Sequence, residues 1–139
     1  MTTNEKRSAP GRTPGRALNI TLWILQILLA ALFVFAGSSK LVNVQPPVVE
    51  GFARIGLGQW FRYLTGTLEV AGAVGLLIPR LSGLAALVLA GVMFGAIFAH
   101  LFALPPAALA IVPASIGTVL VLIARARRAE TLILRPAGG

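Results

Sequence analysis

Leu18-Asn19-Ile20-Thr21-Leu22-Trp23-Ile24-Leu25-Gln26-Ile27-Leu28-Leu29-Ala30-Ala31-Leu32-Phe33-Val34-Phe35-Ala36-Gly37 is a run with no charged side chain. At about 1.5 Å per helical residue it reaches across roughly the 30 Å hydrocarbon core of a bilayer. Lys6, Arg7, Arg12 and Arg16 precede it, and Trp23 stands near its start, where an interfacial aromatic ring belongs. Val34-Phe35-Ala36 has the look of a signal-peptide cleavage site. The apolar region of such a peptide is only about 7–15 residues long. The longer run therefore reads as a retained span.

Downstream the pattern recurs. A second apolar segment runs from Tyr63 to Ile78 and stops at Pro79, Arg80 and Ser82. A third covers Leu84 to Phe102, ahead of Pro105 and Pro106. A fourth covers Ala107 to Ala124 and contains Pro113, which a membrane bundle tolerates as a kink. Between the first two, Asn43, Gln45, Pro46 and Pro47 make a turn. Val48, Phe52 and Ile55 then recur at helical spacing, with Glu50 and Arg54 as an i,i+4 pair. Gly56 and Gly58 end this segment, and Trp60, Phe61 and Tyr63 follow as an interfacial aromatic cluster.

The expected fold is all-α: a four-helix transmembrane bundle with a short amphipathic interfacial helix between spans 1 and 2. The spans, about 18–39, 63–78, 84–102 and 107–124, make a membrane domain over 18–124. A disordered basic tail, 1–17, precedes it and a basic tail, 125–139, follows it. Composition agrees: 57% of the residues are hydrophobic, 12% are charged and the mean hydropathy is +0.88. A soluble domain of this size needs far more polar surface.

The net charge of +8 sits at the ends, with Arg125, Arg127, Arg128 and Arg135 after the last span. Flanking charge of this kind sets orientation and is not a nucleic-acid-binding face. With both termini inside, the two tails and Arg80 place nine Lys and Arg on the cytoplasmic side. Lys40, Arg54 and Arg62 leave three outside. The expectation is a multi-pass protein of the cell membrane with cytoplasmic N- and C-termini. The chain has no cysteine and one histidine. That excludes disulfides and cysteine-bound clusters, and it argues against a dedicated metal site or a bis-histidine haem.

Glu69 lies inside the second span. A carboxylate at that depth costs several kcal/mol unless it is paired or protonated. In the expected topology Lys40 ends the first span outward, Glu69 lies about two turns, roughly 10 Å, below Arg62, and His100 nears the outer end of the third span. The expected buried polar site is therefore Lys40, Glu69 and His100, with Lys40 bound to Glu69 and His100 nearby. Thr65, Glu69, Gly72, Ala73 and Leu76 share a helical face that should look into the bundle. Gly83, Gly91, Gly95 and Ala99 form a small-residue stripe suited to close helix approach, and Gln26 is an interhelical hydrogen bonder.

Three stretches together resemble a known family. Phe35-Ala36-Gly37-Ser38-Ser39-Lys40-Leu41 resembles the end of the first helix of DoxX-like membrane proteins. Phe52-Ala53-Arg54-Ile55-Gly56-Leu57 resembles their F-x-x-x-G-[LIV] segment. Gly66-Thr67-Leu68-Glu69-Val70-Ala71-Gly72-Ala73 resembles their G-x-x-E-x-x-G-[AG] motif, and the Leu76-to-Leu81 turn follows it. The resemblance spans about Leu22 to Ala124. It implies a four-helix membrane bundle in which Lys40 and Glu69 are the polar pair. It also implies a link to quinone-coupled or other membrane oxidoreductase complexes.

The functional expectation is a non-catalytic accessory or scaffold subunit of a membrane complex with a redox link. Its partners are the lipid bilayer and a membrane oxidoreductase, and no intrinsic catalytic activity or resident cofactor is expected. The alternative is a subunit that binds a quinone or another lipophilic ligand, or a small proton-coupled transporter using Glu69.

Overall fold

A computed structural model describes residues 15–42 and 46–128. Most of the two expected tails and Asn43 to Gln45 of the expected turn lie outside the described residues. Five α-helices follow in order: α1 (Arg16–Val42), α2 (Pro46–Ile55), α3 (Gln59–Leu76), α4 (Ser82–Phe102) and α5 (Ile111–Arg127). A short 3₁₀ turn, Ala107–Ala110, leads into α5. Among the described residues there is no strand.

Three segments are long and apolar enough to cross a membrane: Arg16–Val42, Ser82–Phe102 and Ala107–Arg127. Their outward faces are hydrocarbon. Ile24, Leu28 and Phe35 on α1, Phe94, Phe98 and Phe102 on α4, and Ile111 and Leu122 on α5 are all exposed. An apolar surface of this extent is unsuited to water and suited to lipid, so this is a transmembrane protein. α3 differs from the other three. It has 18 residues and carries Arg62 and Glu69, both turned inward and buried. Of the four expected spans, three are thus identified by length and apolarity.

Local chemistry explains where the boundaries moved. Pro46 and Pro47 open α2 instead of forming a turn before it, because the first helical positions need no N–H partner. Pro113 falls in the first turn of α5, where the missing N–H breaks no helical hydrogen bond. Gly56 and Gly58, with φ of 85° and 94°, separate α2 from α3 in a backbone region that favours glycine. α5 runs on to Arg127, so Arg125 and Arg127 belong to the helix and not to the tail.

α1 packs antiparallel along α3, and α4 along α5; the two pairs join through α3 and α4. Glycines set the spacing of the first pair. A Cβ on Gly37 would lie 2.7 Å from the Gly66 carbonyl oxygen and 2.8 Å from Val70. Between α3 and α4, a Cβ on Gly75 would meet that of Ala85 at 2.8 Å, and one on Gly72 would meet Leu89 at 2.6 Å. Further along α4 the contact ends, since a Cβ on Gly91 or Gly95 would meet nothing within 4 Å. The stripe expected to seat a neighbouring helix is therefore divided. Gly83 is buried, whereas Gly91 and Gly95 face open space.

At the closed end a polar network locks three helices. Gln26 Nε2 donates to the Leu76 carbonyl at 2.6 Å, satisfying one of the carbonyls that the end of α3 leaves without a helical partner. Arg127, only 1% exposed, donates from Nε to Gln26 Oε1 at 2.8 Å and from a terminal nitrogen to Asn19 Oδ1 at 2.6 Å. Its guanidinium also lies 5.3 Å from the Trp23 ring centroid. Sequence alone reads Arg127 as a flanking charge and Trp23 as an interfacial anchor; in the fold each is a neighbour of the other. Around this lock sits the apolar core, with Phe33, Leu76, Leu89, Leu120 and Ile123 fully buried.

The glycine contacts make a graded prediction. Gly37→Ala should destabilise the purified protein by about 1–3 kcal/mol, the usual cost of overpacking, and Gly91→Ala should leave stability unchanged. Thermal unfolding in detergent checks this, and equal shifts for the two variants would contradict the packing described.

Candidate functional site: an ion pair on the wall of an apolar cavity

Lys40 is in the last turn of α1 and Glu69 lies mid-way along α3. Gly37 and Gly66 each stand three residues before one of them. The close backbone approach at the glycines therefore brings the two side chains within reach. Lys40 Nζ donates to Glu69 Oε1 at 2.9 Å and to Oε2 at 2.7 Å. Glu69 is buried, and the Lys40 side chain is 20% exposed. Charge-assisted hydrogen bonds of this length are among the strong ones, and removing one partner from a buried pair costs about 3–5 kcal/mol.

Arg62 supports the pair from about two turns above Glu69. It is 2% exposed. It donates to the Lys40 carbonyl and, from Nε, to Gln59 Oε1 at 2.8 Å, while its guanidinium stacks 4.3 Å from the Tyr63 ring centroid. The Lys40 carbonyl is among those left open at the end of α1, and a cation there suits the helix dipole. Gln59 in turn donates to the Val49 carbonyl at 3.3 Å, and Phe61 meets Phe52 edge-on at 6.0 Å, so α2 is fastened to the start of α3.

Beside the pair is a cavity of about 630 Å³. It occupies the space that opens between the two helix pairs once α4 has left α3. Gly91 and Gly95 form part of one wall, Leu32 and Ala36 of α1 face them, and Val48 and Phe52 of α2 close the end. The polar lining consists of Lys40, Thr65, Glu69 and His100. The Thr65 hydroxyl donates back to the Phe61 or Arg62 carbonyl, at 3.0 and 3.1 Å. His100 Nδ1 is buried and has no hydrogen-bond partner.

The structure thus brings Lys40 and Glu69 into direct contact and places His100 on the same cavity, with no hydrogen bond joining it to the pair. Of the shared face on α3, Glu69, Gly72, Ala73 and Leu76 are buried, and Thr65 is half-buried on the cavity wall. Two elements escape a reading of sequence. Arg62 looks like an interfacial charge until its partners are known. α2 looks like a helix lying on the bilayer, yet its apolar side lines the cavity. An amphipathic period shows that a helix has an apolar face without showing what that face meets.

A cavity of this size and lining matches sites for drug-sized lipophilic molecules: mostly apolar, with a few convergent polar groups. The pairing yields a direct test. In a cycle of Lys40→Met, Glu69→Gln and the double variant, each single change should strongly reduce folded yield in detergent. The double variant should lose less than the sum of the two. Strict additivity would argue against the pair.

Comparison with known proteins is sparse. The model of the DoxX-like family matches residues 24–124. No curated protein and no solved structure matches the chain. The family match runs from α1 into α5 and takes in both members of the ion pair, His100 and every residue that lines the cavity. The chain therefore belongs to the DoxX-like family.

Proposed function

We propose that this chain is a four-span protein of the cell membrane that binds a lipophilic small molecule in the cavity beside Lys40 and Glu69. It does so as a non-catalytic subunit. The observation that carries this reading is the cavity itself: about 630 Å³, largely apolar, with its polar groups gathered around one ion pair and His100. A helix bundle that served only as scaffold has no need of such a space, since interiors normally close to crystal-like density.

Glu69 fits binding better than proton carriage. Both of its oxygens accept from the Lys40 ammonium, so protonation would have to break the pair first. That argues against a proton-coupled transporter. A quinone, suggested by the family resemblance, is one ligand of suitable shape, and a membrane oxidoreductase is then the partner that would use it.

The spanning role of α3 follows from its neighbours. It begins beside Lys40 at one end of α1 and ends beside Gln26 near the other. It therefore runs at the same depth as a helix that crosses the membrane, with its charges turned away from lipid. The basic residues of both tails favour cytoplasmic termini.

Two measurements test these points. Purification in mild detergent followed by mass spectrometry of the extract should find a lipophilic molecule with the wild-type protein and much less with Glu69→Gln. A co-purifying protein without any small molecule would favour the scaffold reading instead. Because the chain has no cysteine, single-cysteine variants report topology cleanly. Leu57→Cys should react with an impermeant thiol reagent in intact cells, and Thr3→Cys and Thr131→Cys only after permeabilisation. The reverse pattern would overturn the orientation.

A further inference from the structure

The two charged residues that line the cavity, Lys40 and Glu69, balance, but the groups packed behind them do not. Lys40 neutralises Glu69. Arg62 is equally buried, and its described partners are all neutral: the Gln59 amide, the Lys40 carbonyl and the Tyr63 ring. Glu50 and Arg54 of α2 are both exposed and offset one another. His100 adds a buried ring nitrogen without a partner. This end of the fold therefore holds one positive charge more than it holds negative. In a low-dielectric setting such an excess acts over several ångströms.

The other end of the cavity is hydrocarbon, and it opens sideways. Leu32 and Val88 line it and are also exposed at the surface, as are Gly91 and Gly95. α1 and α4 do not pack on each other at this level, because each packs on a different partner helix. The gap between them faces the bilayer interior and not water. A Cβ on Gly91 or Gly95 would meet nothing, so packing between the described helices does not require glycine at either position. Their smallness keeps a track open for something else.

We infer that the cavity takes a single-chain lipid with an anionic carboxylate head, admitted laterally from the bilayer between α1 and α4. The chain lies along Gly91 and Gly95, and the head meets Lys40 and His100. This inference rests on the ligand-binding reading above and narrows it to one chemical class. The volume suits one hydrocarbon chain and not the two of a phospholipid. A cationic amphiphile would meet Lys40 with like charge, and Arg62, which lies behind the lining on the Lys40 carbonyl, would add to the repulsion. A neutral ring would leave the excess charge unanswered.

Spin-labelled stearic acid and its methyl ester share one chain and differ only in the head charge. With wild-type protein in nanodiscs, electron paramagnetic resonance should show the acid immobilised about tenfold more strongly than the ester. Gly95→Leu, at a position where an added Cβ meets nothing within 4 Å, should abolish the immobilised acid while the unfolding temperature is retained. Phe102→Leu, on the lipid-facing side of α4, should leave it unchanged. Equal binding of acid and ester, both lost in Gly95→Leu, would overturn the anionic class and leave the cavity as a ligand site. If Gly95→Leu changes neither signal, the cavity reading fails together with the inference.

Discussion

A carboxylate buried among apolar helices must be paired, and the fold is organised around meeting that demand for Glu69. The pair with Lys40 is bidentate in effect, one ammonium donating to both oxygens. It forms only because Gly37 and Gly66 let the backbones of α1 and α3 approach to a distance that any side chain would prevent. The same approach puts the Lys40 carbonyl within reach of Arg62. Three charged groups are thus accommodated by one close helix contact. A single methyl group at Gly37 would strain all of them together.

The two ends of the bundle do opposite things. At the end near Asn19 and Arg127, hydrogen bonds and tight glycine contacts draw α1, α3, α4 and α5 together. At the Lys40 end α4 leaves α3, and the space released becomes the cavity. Closing one end firmly lets the other remain open without loss of order. α2, tethered through Gln59 and Phe61, covers what would otherwise be an apolar mouth.

Much of this was visible in the residues. The apolar runs gave the long helices to within a few positions, because lipid demands continuous hydrocarbon and helices must be long enough to reach across it. Glu69 stood out because a buried charge is costly, and Lys40 was the cation nearest in the expected topology. His100 was placed at the correct end for the same reason. Other features were hidden because they depend on pairing between distant helices. Arg127 and Arg62 carry the same charge as ordinary flanking residues, and only their partners distinguish them. Gly91 and Gly95 have the spacing of a helix-packing stripe. Whether such a stripe meets a helix or an empty space is decided by where α4 diverges, and no local pattern records that. Pro113 lies in the first turn of α5 because the segment from Ala107 opens as a 3₁₀ turn, which an apolar run does not distinguish from α-helix.

The central claim is that Glu69 is an ionised carboxylate bound to the Lys40 ammonium at neutral pH. All four acidic side chains of the chain are glutamates: Glu5, Glu50, Glu69 and Glu130. An infrared difference spectrum between the wild type and Glu69→Gln in nanodiscs therefore isolates a single group. The account predicts that the difference contains the carboxylate stretches of Glu69 and that Lys40→Met shifts or removes them. A protonated carboxylic acid band at Glu69 in the wild type, unaffected by Lys40→Met, would contradict it.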